Sequence, residues 1–192
     1  MMSDNQVSRR NFLRLSGLAG TALCLGFYFP SRAEEAEVLN AAGLLNEDVE
    51  LNAWIHIDTN GKVTLFNHRA EMGQGSYQSV PQIIAEELEV NLADVNIVFA
   101  QGNREKYGNQ ITGGSSTIRS GYKNLLKLGA TARVMLIAVA AKKWGTSIDE
   151  CYAEAGHVLH KSTGKKFHYG ELVLDAAKME SPKDVVLKKI SD

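Results

Sequence analysis

Two short loops contain the residues whose types and spacing suit ligand binding. The first loop is Glu71-Met72-Gly73-Gln74-Gly75, between an apolar run at residues 63–66 and a helical pattern over residues 76–90. Gly73 and Gly75 permit positive φ and close approach to a ligand, and the Gln74 amide offers two donors and an acceptor. Free NH groups at the start of the next helix form an anion site. The loop therefore suits a phosphate-bearing cofactor with a polar heterocycle, although a plain turn uses the same residues.

The second loop lies at residues 109–117 and is rich in small and hydroxylic side chains. It contains Thr112, Gly113, Gly114, Ser115 and Ser116. A predicted strand at residues 95–100 precedes it, and a second helical pattern follows it directly. Two units of strand, loop and helix can converge on one ligand, with NH groups of both helices directed into a shared, solvent-exposed cleft. We therefore predict that Gly73, Gln74, Gly75 and Thr112 to Ser116 bind one cofactor.

These two loops resemble those of the molybdenum hydroxylases, the xanthine dehydrogenase and aldehyde oxidase family. In that family the glutamine of the first motif binds molybdopterin, and a later small-residue loop wraps the pyrophosphate of a pterin dinucleotide. The resemblance is closer still to the large, molybdopterin-binding subunit of the isoquinoline 1-oxidoreductase type. The segments at residues 81–88, 129–136 and 169–172 follow in the order that this branch uses. The resemblance extends from about residue 51 to residue 178.

The resemblance implies an oxidoreductase that hydroxylates aldehydes or N-heterocycles with molybdopterin, in its cytosine dinucleotide form. It also implies three partners: the remainder of the large subunit, a small [2Fe-2S] subunit and a small-molecule substrate. The catalytic glutamate of the family lies in a Gly-x-Gly-Glu motif near the end of a much longer chain, and that motif does not occur here. We therefore expect an N-terminal, cofactor-binding portion that shares its cofactor with a missing or partner chain, has no catalytic residue and is inactive alone.

The alternative is a small exported module that uses the same loops for another anionic ligand or a partner protein. Composition does not separate the two hypotheses, because 44% hydrophobic and 22% charged residues are typical of an ordinary globular protein. The formal net charge of -1 gives no reason to expect nucleic acid as a partner.

The N-terminus predicts export. Arg9-Arg10 precedes Phe12-Leu13 and an apolar run, which is typical of a twin-arginine signal peptide, here residues 1–33. We therefore expect a periplasmic protein, and because such proteins fold before export, often around a cofactor, the signal supports a cofactor protein. The domain organisation that we predict is a linker at 34–50 with a short helical piece, the cofactor-binding domain at 51–180, and a second linker at 181–192.

The alternation of strand and helix patterns predicts an α+β fold with a small, mostly antiparallel sheet and two principal helices. Asn60-Gly61 marks one hairpin and Gly156 a second. We expect the principal helices to begin near Ser76 and Ser116, the second of them ending near Trp144, and a further helix over residues 169–179.

Several other polar residues favour structural roles over chemistry. We expect Glu71 to hydrogen-bond the glycine turn, and Arg69 and Arg119 to be surface groups. His157 and His160 are predicted to lie on opposite faces of a strand, so that we expect no metal site there. Cys151 is left unpaired once the signal peptide, with Cys24, is removed.

Overall fold

The computed structural model describes residues 48–189 of the chain, and side chains from residue 51 onward. The predicted signal peptide and most of the predicted first linker lie outside the described residues. The first strand, β1 (Asp48–Asn52), begins inside the range predicted to be that linker. Regular structure therefore starts before residue 51.

The described residues form two sheets, and the first has four strands in the order β1-β2-β3-β4. Strands β2 (Ile55–Asp58) and β3 (Val63–Asn67) form the predicted hairpin, closed by the hydrogen bond from Gly61 N to the Asp58 carbonyl oxygen at 2.8 Å. Gly61 has a φ of 79°, which suits glycine at this turn. Strand β4 (Asn96–Phe99) is parallel to β3, because a helical crossover separates them.

The second sheet contains β5 (Cys151–Glu154), β6 (His157–His160) and β7 (Lys166–His168), all antiparallel. The Ala155-Gly156 turn, with φ of 45° and 75°, closes the predicted hairpin between β5 and β6. Since β3 and β4 form the single parallel pair among the described strands, the prediction of mostly antiparallel sheets in an α+β fold is confirmed.

The two principal helices are α1 (Ser76–Leu88) and α3 (Ser116–Trp144), with the short helix α2 (Arg104–Tyr107) between them. Both begin at the predicted residues. The predicted helix over residues 169–179 is wrong: a 3-10 turn, Tyr169–Glu171, is followed by the single turn α4 (Val173–Ala176). Tertiary contacts explain the break, because the Tyr169 hydroxyl donates to the Leu88 carbonyl oxygen at 2.7 Å and an added Cβ on Gly170 would lie 2.3 Å from the Thr59 carbonyl oxygen.

Helices α1 and α3 cross in close contact at Gly129. A Cβ at this position would lie 2.4 Å from the Ile84 carbonyl oxygen, so only glycine permits the observed approach. The largest buried side chains of these helices, which include Ile84, Leu88, Leu125 and Leu136, form the core with β2 and β3. The crossing therefore fixes the position of one helix start relative to the other.

A buried ion pair and the C-terminal segment reinforce this contact. Arg133 of α3 donates to the Glu87 carboxylate of α1 at 2.9 Å, and their side chains are 14% and 4% exposed. Lys188 N also donates to that carboxylate, while Lys188 Nζ lies 2.6 Å from Glu89. The segment predicted to be a linker therefore returns to α1 and contributes to the domain.

Helix α3 is also the one helix in residues 48–189 that is long and apolar enough to cross a membrane. Half of its most apolar window is buried inside the domain. The core helix of a globular protein can be equally long and apolar. The composition of α3 therefore does not indicate a membrane span.

Candidate cofactor-binding site

The two predicted loops leave neighbouring strands at one edge of the first sheet. Strands β3 and β4 are parallel, with Asn67 opposite Phe99, and Ala100 N donates to the Asn67 carbonyl oxygen at 2.9 Å. Residues 71–75, the glutamine loop, connect β3 to α1, and residues 112–116, the serine loop, lie between β4 and α3. The carboxyl edge of parallel strands is where open α/β sheets bind ligands.

The glutamine loop is organised around the carboxylate of Glu71. Its Oε1 accepts hydrogen bonds from Gly73 N at 2.7 Å and Gly75 N at 3.0 Å, and its Oε2 accepts one from Tyr77 N at 2.7 Å. These backbone donors, Tyr77 N foremost, lower the pKa of Glu71 to about 2. Glu71 thus stabilises the glycine turn, as the sequence predicted, and it also caps α1. Glu71 accepts from the NH groups of Gly75 and Tyr77, so its own carboxylate lies where the sequence predicted an anionic ligand at the start of α1.

The Gln74 amide is also engaged within the loop. Its Nε2 donates to the Ala70 carbonyl oxygen at 2.7 Å and to Ser76 Oγ at 2.6 Å, and its Oε1 accepts from Met72 N at 2.6 Å. Both amide hydrogens are used, and one lone pair of Oε1 remains. Gln74 therefore accepts one further hydrogen bond from a ligand without disturbing the loop, whereas donation requires a loop bond to break.

The serine loop is less satisfied by its own side chains. Ser115 precedes α3 with a φ of 54°, and no described side chain caps this helix. Ser116 N and Ser116 Oγ both approach the Gly113 carbonyl oxygen, at 3.1 and 2.8 Å. An added Cβ on Gly113 or Gly114 would meet no atom within 4 Å, so the backbone faces open space. The N-terminus of α3 thus retains the partial positive charge that the Glu71 carboxylate neutralises at α1.

Two hydrogen bonds connect the start of one loop to the start of the other, between residues 69–70 and residues 111–112. Thr112 Oγ1 donates to the Ala70 carbonyl oxygen at 3.2 Å, and Nη1 of Arg69 donates to the Ile111 carbonyl oxygen. Between the loops lies a cavity of about 430 Å³, which is within the usual range for ligand pockets. Its lining comes from both loops and from the first turns of α1 and α3: Met72, Gln74, Ser76, Ser79, Thr112, Gly113, Ser115, Thr117 and Ile118.

The structure thus brings four of the eight predicted site residues into one cavity wall: Gln74, Thr112, Gly113 and Ser115. The other four, Gly73, Gly75, Gly114 and Ser116, are in the same loops outside that wall. Sequence analysis missed five lining residues: Met72, Ser76, Ser79, Thr117 and Ile118. The spacing of Ser76 and Ser79 places both on one face of α1, a signal that would have found them.

The arginines and histidines that the sequence singled out lie outside this cavity. Arg119 is exposed, as predicted, and donates to the Gly114 carbonyl oxygen at 3.3 Å, whereas Arg69 is only 5% exposed, so its prediction as a surface group is wrong. His157 packs against His168 and His160 against Trp144. Over residues 48–189 no cluster of three His, Cys, Asp or Glu side chains is placed to hold a metal ion.

The family model for the molybdopterin cofactor-binding domain matches residues 15–188. The chain belongs to this family. The assignment that the sequence motifs suggested is therefore confirmed, and the loops described above belong to a molybdopterin-binding domain.

Known proteins similar to this molybdopterin-binding domain are much longer. It is 29% identical over 182 residues to isoquinoline 1-oxidoreductase subunit beta of Brevundimonas diminuta, which is 92% of this chain and 23% of that protein. It is 30% identical over 167 residues to a membrane-bound aldehyde dehydrogenase [pyrroloquinoline-quinone] of Gluconacetobacter polyoxogenes, with 87% and 21% of the two chains covered. The chain thus spans about a fifth to a quarter of these relatives.

The fold also has a counterpart among solved structures. Quinoline 2-oxidoreductase from Pseudomonas putida 86 superposes with a TM-score of 0.50 at 24% identity, covering 69% of this chain and 19% of that one. At this identity the likeness concerns the fold alone, and it confirms the α+β architecture of a molybdopterin-binding domain.

Proposed function

We propose that this chain holds part of a molybdopterin dinucleotide in a molybdenum-dependent oxidoreductase that hydroxylates aldehydes or N-heterocycles. The observation that carries the proposal is the cavity of about 430 Å³ where the glutamine loop and the serine loop meet. The names of the relatives, an isoquinoline oxidoreductase and an aldehyde dehydrogenase, support both substrate classes. When bound, the cofactor supplies the oxygen-transfer and redox chemistry, and the protein orients it.

The two loops have separate tasks in this proposal. The serine loop binds the phosphate groups, because its glycine backbone is open and α3 lacks a side-chain cap. The Ser115 hydroxyl adds a donor at the same wall. Gln74 orients the pterin through the remaining lone pair of Oε1. The polar and apolar lining fits a charged tail joined to a flat heterocycle, and we propose the cytosine dinucleotide form.

Other chains complete the site in this proposal. Large apolar side chains around the loops are exposed, with Met72 at 71%, Phe99 at 49% and Ile111 at 72%. Such a concentration of exposed apolar surface is typical of an interface. We assign it to the remainder of the large subunit, and we propose a small [2Fe-2S] subunit as the electron acceptor. The Arg9-Arg10 signal supports a periplasmic location.

The test is the composition of the assembly purified through a C-terminal tag from the native host. We expect molybdenum and, after acid hydrolysis, cytidine monophosphate, in equal amounts. Gln74→Ala should lower both, whereas Ser162→Ala, an exposed change in the turn between β6 and β7, should leave them unchanged. An assembly without molybdenum contradicts the proposal.

A second cofactor is supported by the relative whose name includes pyrroloquinoline-quinone. The same purified assembly distinguishes the two cofactors, since the quinone is identified by mass spectrometry. Quinone without molybdenum favours this second candidate. An assembly that contains neither molybdenum nor the quinone, but contains an unrelated anionic ligand, favours the small binding module.

A further inference from the structure

A second cavity, of about 470 Å³, adjoins the candidate site and is lined mainly by residues 67–71 and the end of β4. Two amide side chains in its wall have a partner for both their nitrogen and their oxygen within the domain. Asn67 donates to the Ser76 carbonyl oxygen and accepts from Arg69 N, and Gln110 donates to the Gln101 carbonyl oxygen and accepts from Asn103 N. The side-chain atoms of this wall without any partner among the described residues therefore belong to His68 and Arg69.

Arg69 has a buried positive charge without a counter-ion. The residue is 5% exposed, and its Nε and Nη1 donate to His68 Nε2 and to the Ile111 carbonyl oxygen. Nη2 has no hydrogen-bond partner in the described part of the chain, nor does any carboxylate there form an ion pair with Arg69. Glu71 lines the same cavity, but its oxygens accept backbone NH groups. Such a charge is unfavourable unless an anion accompanies it.

The contact with Arg69 also determines the tautomer of His68. A guanidinium group always keeps its Nε proton, so His68 Nε2 must accept and the ring proton must be on Nδ1. His68 Nδ1 is buried and has no partner among the described residues. Burial and the charge of Arg69 lower the pKa of His68 to about 4, so the ring is neutral at pH 7. The cavity is thus lined by two residues that each have an unpaired donor, one of them positively charged.

We propose that this second cavity binds the oxyanion group of a small molecule, a phosphate or a carboxylate, with Arg69 as its charged donor and His68 Nδ1 as a neutral one. An oxyanion accepts hydrogen bonds from both donors and neutralises the guanidinium. Phe99, which is 49% exposed, supplies an apolar wall for the rest of the ligand. The proposal does not depend on the molybdopterin assignment, because His68 and Arg69 do not line the cavity that contains Gln74.

Nuclear magnetic resonance of the full chain tests this site with inorganic phosphate and acetate as probes. At constant ionic strength in sodium chloride, we expect either probe to shift the Arg69 Nε–H and His68 ring signals in a saturable way. Arg69→Met should weaken binding about tenfold or more, as expected for loss of one charge-assisted hydrogen bond. Lys166→Met removes one exposed positive charge on β7 and should leave the affinity unchanged.

The two probes separate the possible ligand sources. Tighter binding of phosphate assigns a phosphate-bearing ligand, and tighter binding of acetate assigns a carboxylate. The proposal is overturned if neither probe shifts the His68 signals, or if Arg69→Met binds as tightly as the wild type. Should Arg69→Met not fold, the wild-type titration decides, because the His68 ring reports directly on the cavity.

Discussion

The glutamine loop and the serine loop occupy equivalent positions, each after a strand and before a principal helix, yet they differ in how their polar groups are satisfied. Glu71 and Gln74 bind the backbone in and next to the glutamine loop, and Glu71 also caps α1. The serine loop contains no carboxylate, and no described side chain caps α3. The same strand-loop-helix pattern therefore produces a loop that satisfies its own polar groups in one case and an uncapped helix N-terminus, which we propose binds an anion, in the other.

The largest effect on this arrangement is expected from Gly129→Ala, because the methyl group would separate α1 from α3 and therefore move one loop relative to the other. Overpacking of this kind destabilises by about 1–3 kcal/mol. We expect a lower urea midpoint and reduced molybdenum content in the tagged assembly. Gly121→Ala is a matched control, since its added Cβ would make only ordinary contacts at 3.7 Å. Equal urea midpoints for the two variants would contradict the close crossing of α1 and α3.

Glu71→Gln should come next, since it removes the charge that organises the glutamine loop. The pKa of Glu71 is depressed to about 2, so its stabilising effect is complete above the ordinary carboxyl pKa of about 4.3 and is lost as the pH falls through about 2. We expect the variant to melt at a lower temperature than the wild type at pH 6, with the difference vanishing towards pH 2. Glu154→Gln, an exposed change on β5, is the control. A difference that persists unchanged at pH 2 would count against the capping role.

Thr112→Val tests the hydrogen bond between the loops. The change keeps the shape of the side chain and removes the donor to the Ala70 carbonyl oxygen, which should lower the free energy of unfolding by about 0.5–1.5 kcal/mol. Chemical denaturation measures this loss, with exposed Thr163→Val as the control for removing a hydroxyl whose one bond, accepted from Lys165 N at 3.4 Å, stays within a single turn. If Thr112→Val retains full stability, the bond contributes nothing to holding the loops together.

The smallest effect on stability, and the sharpest test of the difference between the loops, is expected from Ser115→Gly. Ser115 has a φ of 54°, which glycine adopts more easily, so we expect stabilisation of less than about 1 kcal/mol. If the Ser115 hydroxyl binds the cofactor, the purified assembly should nevertheless lose molybdenum. Ser162→Gly controls for the loss of a hydroxyl elsewhere. If the variant is more stable and keeps its full molybdenum content, Ser115 is not part of the proposed site.

Local sequence patterns predict most of the regular structure, but not the features that depend on contacts between residues far apart in sequence. The hairpin at Gly61 and the starts of α1 and α3 follow from local turn chemistry and helical periodicity. The helix predicted over residues 169–179 fails because Tyr169 and Gly170 pack against residues that are far away in sequence. Arg69 was predicted to be exposed, since no local pattern shows that the serine loop approaches it. Likewise, the composition of residues 181–192 did not reveal that Lys188 packs onto α1.

The sequence by itself determined the family, the two glycine-containing loops and the role of Glu71, because these depend on residue types at fixed, short spacing. Only the tertiary structure decided which helix start is capped by a side chain, since the NH groups of a helix start are available or occupied according to which side chains fold back onto them. The parallel pairing of β3 with β4 brought the loops to one edge. The same pairing brings the Ile111 carbonyl oxygen to Arg69, whose buried guanidinium lines a cavity. This arrangement joins residues from separate elements, so their spacing in the sequence does not predict it.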